Sequence, residues 1–238
     1  MALQRGPENR LVASLQVTAE AASLLPARDV DQVRIVGGEF RGRSLAAPKT
    51  QTIRPTTDRS RESLFNILSH AYPEAMDGTR VLDLFAGTGA VGIEALSRGC
   101  RTALFVETGI EGRGLIQKNI ETLGLQGSTR LFRRDATKLG AAGTMGPFDL
   151  VFADPPYGKT LGDRALASAA RGGWIASGAL VVLEEDAAEN PDPGPSFQLL
   201  DSRAFGDTVM RFYRYGATVG SGDRGLVTDA AESSLDDE

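Results

Sequence analysis

A Rossmann-like α/β fold, with a mostly parallel seven-stranded sheet and helices on both faces, is the architecture this sequence predicts. Three observations predict it. Strand-like and helix-like segments alternate from Arg80 to Glu184, the pattern of successive strand–helix–strand units. The strand segments, such as Val81-Leu82 and Leu150-Val151-Phe152, are apolar on consecutive residues, as strands covered on both faces are. A glycine turn, Gly87-Thr88-Gly89, joins the first of these strands to a helix. Sheets of this kind bind ligands beyond the carboxyl ends of their strands.

Each element has its own warrant. Val33–Val36, Gly37-Gly38 and Arg43–Ala46 read as a small N-terminal β-ribbon within residues 33–50. Asp58–His70 reads as a helix, with Asp58 suited to the N-cap and Leu64, Phe65, Ile67 and Leu68 on one apolar face. Arg80–Leu84 is a short buried strand, and Ala90–Arg98 a helix ended by Gly99. Thr102–Val106 is the next strand, followed by a helix over Ile110–Leu123 with Gly124 as its C-terminal stop. Strands follow at Arg130–Arg133 and Phe148–Ala153, then a helix at Leu161–Ala170 and a strand at Ala179–Glu184. Phe197–Ser202 and Thr208–Tyr215 read as a closing antiparallel pair.

The length, 238 residues, suits one sizeable domain. The reading places an N-terminal extension at 1–32, a domain at 33–216 and an acidic, disordered tail at 217–238. No apolar run approaches the roughly 18 residues that span a bilayer, and the start of the chain lacks the apolar core of a secretory signal. The expectation is a cytoplasmic protein with no membrane contact. One cysteine, Cys100, and one histidine, His70, leave no zinc cage and no disulfide framework, so no metal is expected. His70 reads as a solvated helix residue rather than part of a catalytic triad.

The net charge of −5 is unevenly spread. Thr218–Glu238 carries six acids and one base, so the rest of the chain sums to zero. Within that remainder, Arg28–Arg61 holds eight bases and four acids. A local basic face matters more for phosphate contact than the global sum.

The glycine turn is the first chemical signal. Asp83 lies just before it, Phe85 and Thr88 lie within the same turn, and Glu107 closes the next strand twenty residues beyond Gly87. Gly87-x-Gly89-x-x-Gly92 formally fits the dinucleotide pattern, on which reading Glu107 holds an adenosine ribose. The alternative ligand is S-adenosylmethionine (SAM). SAM has no pyrophosphate, and its ammonium needs an acceptor. Asp83 offers one, whereas a carboxylate there would face the pyrophosphate of a dinucleotide. The combination of Asp83, Gly87, Gly89 and Glu107 favours SAM.

The second signal is Asp154-Pro155-Pro156-Tyr157, directly after the fourth strand. Two prolines stiffen the backbone and remove amide donors. Asp154 and the Pro155 carbonyl are left as acceptors, which suit an exocyclic amino group. Holding both amino hydrogens turns the nitrogen lone pair towards an electrophile. Tyr157 offers a stacking face for a base, worth about 1–3 kcal/mol. Such a base must be unpaired or flipped out of its helix.

Together these segments resemble the bacterial 16S rRNA guanine-N2 methyltransferase family of the RsmD type. Arg34–Arg43, Arg54–Leu68 and Val81–Gly92 followed by Asp154–Tyr157 carry the resemblance, which covers residues 33 to about 215. The Arg54-Pro55-Thr56 segment is the most family-specific, since Asp-Pro-Pro-Tyr also occurs in adenine-N6 DNA methyltransferases. The resemblance implies SAM as cofactor, with Asp83, Gly87 and Gly89 at its methionine part and Glu107 at its ribose. It implies Asp135 and Ala136 at the adenine, and Arg54, Thr56 and Asp58 near the cofactor or the target base. It implies rRNA contact at Arg34, Arg41 and Arg43, and a substrate in the assembled 30S subunit. Phe205-Gly206-Asp207-Thr208 also resembles the family, with Phe205 where a tyrosine is expected. A monomer is expected. Two other readings stand beside this one: an adenine-N6 DNA methyltransferase, and a SAM-binding ribosome-assembly factor without catalysis.

Overall fold

The computed structural model describes residues 33–48, 58–158 and 160–216. The expected extension at 1–32 and tail at 217–238 lie outside the described residues. Seven strands form one sheet: β1 (Arg80–Leu84), β2 (Thr102–Val106), β3 (Thr129–Phe132), β4 (Phe148–Ala153), β5 (Ile175–Asp186), β6 (Phe197–Phe205) and β7 (Thr208–Tyr215). Among the described residues four helices cover it: α1 (Asp58–Ala71), α2 (Ala90–Ser97), α3 (Ile110–Leu123) and α4 (Leu161–Arg171). The spatial order is β3-β2-β1-β4-β5-β7-β6. β1 to β5 pair in parallel, and β7 joins β5 and β6 antiparallel. Strand order reverses between β1 and β4, the switch point where such sheets open a crevice.

Alternate strand residues feed two cores. Val81, Phe105, Leu150, Phe152, Val182 and Phe212 meet α1, α2 and α3 on one face. Leu82, Leu84, Val106, Val151, Val181 and Leu183 meet α4 and the fully buried Trp174 on the other. Burial on both faces is why these strands are apolar on consecutive residues.

Three strands differ in their boundaries from the sequence reading. β3 ends at Phe132 because its partner β2 ends at Val106. β5 starts earlier, at Ile175, beside a register shift against β4. It also continues to Asp186, because β7 goes on pairing after β4 has stopped. β6 likewise runs on to Phe205 against Thr208.

The N-terminal ribbon is a tight antiparallel hairpin bridged at Arg34 and Ser44, with Ile35 N–H donating to the Arg43 carbonyl at 3.0 Å and Leu45 N–H to the Val33 carbonyl at 2.8 Å. Val33, Ile35 and Leu45 are buried in the core below it. Its tip caps the end of α2: Glu39 N–H donates to the Ser97 carbonyl at 2.7 Å, and Phe40 N–H to Ser97 Oγ at 2.9 Å. Gly38 has φ +75° and a side chain there would strike the Ser97 carbonyl, so only glycine fits. Asn119 joins the hairpin to the cleft, accepting from Ala46 N–H at 2.7 Å and donating to the Thr88 carbonyl at 3.0 Å. Asp58 serves this hairpin rather than acting as a plain N-cap. Its Oδ1 accepts from Arg34 N–H and, at 2.7 Å, from the fully buried Arg61 guanidinium.

Candidate functional site

The carboxyl ends of β1, β2, β3, β4 and β5 open into one cleft of about 1280 Å³. Its first half is built around the glycine turn. Asp83, the fourth residue of β1, is 5% exposed and accepts a hydrogen bond from Gly92 N–H at 3.1 Å. Burial raises its pKa to about 7, against the Gly92 hydrogen bond, and the charges of Asp154 and Glu107 raise it further. Phe85 adopts φ +80° without being a glycine. Strain of that kind costs on the order of 1–3 kcal/mol and concentrates at ligand sites.

Glu107 fastens this half together. One of its carboxylate oxygens accepts from Gly87 N–H at 2.8 Å and the other from Gly109 N–H at 2.5 Å. Each oxygen has two lone pairs, so the group retains capacity for ligand hydroxyls. Gly112 lies so close that a Cβ there would sit 2.8 Å from the Gly87 carbonyl and 3.0 Å from Glu107. Asp135, on the far wall, caps the turn Ala136–Lys138 by accepting from Thr137 N–H at 2.8 Å and Thr137 Oγ1 at 2.7 Å. Those bonds hold its pKa below the usual value. Ala136 is buried beside it.

The second half is built where β4 and β5 end. Asp154 is partly buried, Pro155 buried and Tyr157 partly buried, and all line the cleft with Pro156. Glu184 and Asp186 from β5, Asp207 from the β6–β7 turn, and Ser60 and Leu64 from α1 complete the wall.

The structure thus brings Asp83, Phe85, Gly87, Thr88, Glu107, Asp135, Ala136 and Asp154–Tyr157 to one cleft. Gly89 sits just behind, as the left-handed N-cap of α2 with φ +77°. Arg54 and Thr56 lie outside the described residues. Arg34, Arg41 and Arg43 are exposed on the hairpin, away from the cleft wall. Arg43 donates to the Thr122 carbonyl at 3.1 Å. Thr122 is eleven residues beyond the cleft residue Glu111 on α3, about 16 Å along the axis.

Several cleft residues escaped the sequence reading. Ile110 is 82% exposed at the mouth. It offers an apolar cover for a flat ligand, yet in sequence it looks like an ordinary helix residue. Arg134 lines the rim, and Lys138 and Arg164 are close enough to Asp135 to lower its pKa. All three are exposed. Glu184 and Asp186 were visible only as acids at the end of an apolar strand.

The buried carboxylate at the end of β1 fits a cationic ligand, and the Asp-Pro-Pro-Tyr corner fits an amino group. Among the described residues, no helix is long and apolar enough to cross a membrane, and no cluster of acids, histidine and cysteine is arranged for a metal.

Sheet order and cleft place the molecule among the Rossmann-like methyltransferase folds. An Escherichia coli chain with the provisional name methyltransferase yhhF superposes with a TM-score of 0.67 at 34% identity, over 78% of this chain and 99% of that one. A Thermus thermophilus protein superposes with a TM-score of 0.59 at 29% identity, over 76% of this chain and 98% of that one. The family model described as conserved hypothetical protein 95 matches residues 33–214. The chain belongs to that family, the RsmD-type methyltransferases. It is 36% identical over 185 residues to the Escherichia coli ribosomal RNA small subunit methyltransferase D, covering 77% of this chain and 90% of that one. The Haemophilus influenzae protein of the same name is 30% identical over 185 residues, covering 77% and 94%.

Proposed function

We propose that this protein transfers a methyl group from SAM to the exocyclic N2 amino group of a guanine in 16S rRNA, within the assembled 30S subunit. The observation that carries the reading is the pairing, in one cleft, of the buried Asp83 with the Asp154–Tyr157 corner. When bound, SAM supplies a methyl group already activated by its sulfonium charge. Asp83 would take its ammonium, Glu107 its ribose, and Asp135 with Ala136 its adenine, under the cover of Ile110. Gly87 and Gly89 let the backbone come close, with Thr88 between them and Phe85 just before.

The chain's own work is positional. Asp154 and the Pro155 carbonyl accept the two amino hydrogens and aim the nitrogen lone pair. Asp154 also offsets the positive charge that develops on that nitrogen. Tyr157 stacks on the base. Alignment of this kind supplies on the order of 7–11 kcal/mol of the barrier. Phe205 packs where the family pattern has a tyrosine, so no hydroxyl is assigned there.

We take residues 33–216 as the catalytic unit, acting as a monomer in the cytoplasm. Exposed bases at the rim (Arg134, Lys138 and Arg164) would meet RNA phosphate beside the cleft, while Arg34, Arg41 and Arg43 would meet it further out. Purified protein is tested for binding of SAM against NAD, and for transfer of labelled methyl to undermethylated 30S subunits. Binding of SAM with label in 16S rRNA is the expected result. Binding of NAD alone, or label in DNA but not RNA, overturns the reading.

A further inference from the structure

We infer that Glu184 is the residue that selects guanine, by accepting the N1–H that lies next to the amino group held at Asp154. The inference rests on the reading that the amino acceptor is guanine N2, and it assigns how this cleft tells guanine from the other bases.

The placement follows from strand register. β4 and β5 are parallel neighbours, with Phe152 opposite Val182 and Ala153 opposite Leu183. That is the last pair of the two strands; Asp154 is the first residue after β4, and Glu184 is the next residue of β5, on strands that lie about 4.8 Å apart. Opposed residues of parallel strands share a face. Phe152 and Val182 lie in the core under α1, so Asp154 and Glu184 continue that face out of the core and into the cleft. Asp83 shares it, being opposite Phe152 on β1. Both Asp154 and Glu184 line the cleft. Asp186 is two residues further out on the same face, about 6.6 Å along the strand, and Asp207 lies beyond it in the β6–β7 turn. Of the acids on this wall, Glu184 is therefore the neighbour of the amine-holding corner.

The chemistry of the bases makes that neighbour informative. In adenine the amino group is flanked by N1, an acceptor. In cytosine it is flanked by N3, also an acceptor. Only guanine places a donor, N1–H, beside its amino group. A carboxylate next to the amino slot is paired by guanine and left facing a lone pair by adenine or cytosine. A site built to accept a hydrogen bond rejects the ligand that lacks the donor, because its own polar group is left unpaired. The Asp-Pro-Pro-Tyr corner serves any exocyclic amine, so the choice of base has to come from elsewhere on the wall.

The test uses small subunits reconstituted with 16S rRNA in which the guanosine that takes up label is replaced by 2-aminopurine ribonucleotide. That base keeps the 2-amino group and exchanges N1–H for a lone pair. Wild-type protein and Glu184→Gln are compared on both particles in single turnover. Wild type is expected to prefer guanine by about 10- to 100-fold. The amide side chain of the Glu184→Gln variant can accept through its oxygen or donate through its nitrogen, so the preference is expected to fall at least tenfold. Most of that fall should be a gain on 2-aminopurine. Binding of S-adenosylhomocysteine and the melting temperature are expected to stay as in wild type, which separates a folding defect from loss of base reading. An unchanged preference in Glu184→Gln overturns the assignment while leaving guanine-N2 methylation intact. Absence of N2 label with wild type on the guanine particle overturns both.

Discussion

The two halves of the cleft are built by different kinds of structure. The glycine-turn half is made locally, by strand ends and the turns that follow them, and it is locked by short-range bonds such as Glu107 to Gly87 and Gly109. The Asp154 half is assembled from distant parts: the corner after β4, the end of β5, the β6–β7 turn and the first turns of α1. One half offers a buried carboxylate, the other a group of acceptors. On the proposed function, the first half binds the cofactor and the second chooses the acceptor.

The strongest way to break this division is Asp154→Ala. Methyl transfer is expected to fall about 10²- to 10³-fold, while SAM affinity by calorimetry stays within about twofold. A matching loss of SAM binding would merge the two halves.

Asp83→Asn should do the opposite. Hydrogen bonds to charged groups contribute about 1.5–3 kcal/mol, so SAM affinity at pH 8 is expected to fall about 10- to 100-fold. The wild-type pH profile sharpens the point. In the free protein Asp83 titrates near 7 because it is buried, and a bound cation favours its ionised form. SAM binding should therefore release a proton below pH 7 and tighten as pH rises, by up to about tenfold per unit, then level off. Calorimetry in buffers of different ionisation enthalpy checks this, and Asp83→Asn should flatten the profile.

A buried acid outside the cleft makes the control. Glu185, on the opposite face of β5, is also raised to about 7, chiefly by burial and then by Asp163, Glu189 and Asp154. A raised carboxylate pKa means the folded state holds the proton more tightly than the unfolded one. Its contribution is present at acid pH and is lost as pH rises through 7. Glu185→Gln should accordingly raise the melting temperature at pH 8 by a few degrees, with little effect at pH 5 and none on SAM affinity. Thermal melts at the two pH values measure it.

The smallest expected effect is at the rim. Replacing Arg134 and Arg164 by glutamate should weaken binding to 30S subunits several-fold and reduce its salt dependence. Filter binding at two salt concentrations reads this, with SAM affinity as the unchanged reference.

The first half was largely legible in the sequence because its logic is local. Asp83, the glycines and Glu107 stand at fixed offsets from a strand end. Four of the seven strands, β1, β2, β4 and β7, fall where composition put them. The second half was legible only at Asp154–Tyr157. β7 is inserted between β5 and β6, and nothing local encodes that order. The pairing of Asp186 with Thr208 carries β5 past the end of β4, so Glu184 and Asp186 become cleft residues through a partner more than twenty positions away. The hairpin arginines taught a related lesson. Their charge was plain in the sequence, but the capping of α2 by Glu39 and Phe40, with Gly38 packed against Ser97, sets where the hairpin sits.

The most direct measurement is the identity of the modified nucleoside. Wild-type protein and Asp154→Ala are incubated with methyl-labelled SAM and undermethylated 30S subunits, and the rRNA is digested to nucleosides. The account predicts label in N2-methylguanosine with wild type and its near-complete loss in the variant. Label in N6-methyladenosine, or undiminished N2-methylguanosine with Asp154→Ala, would contradict it.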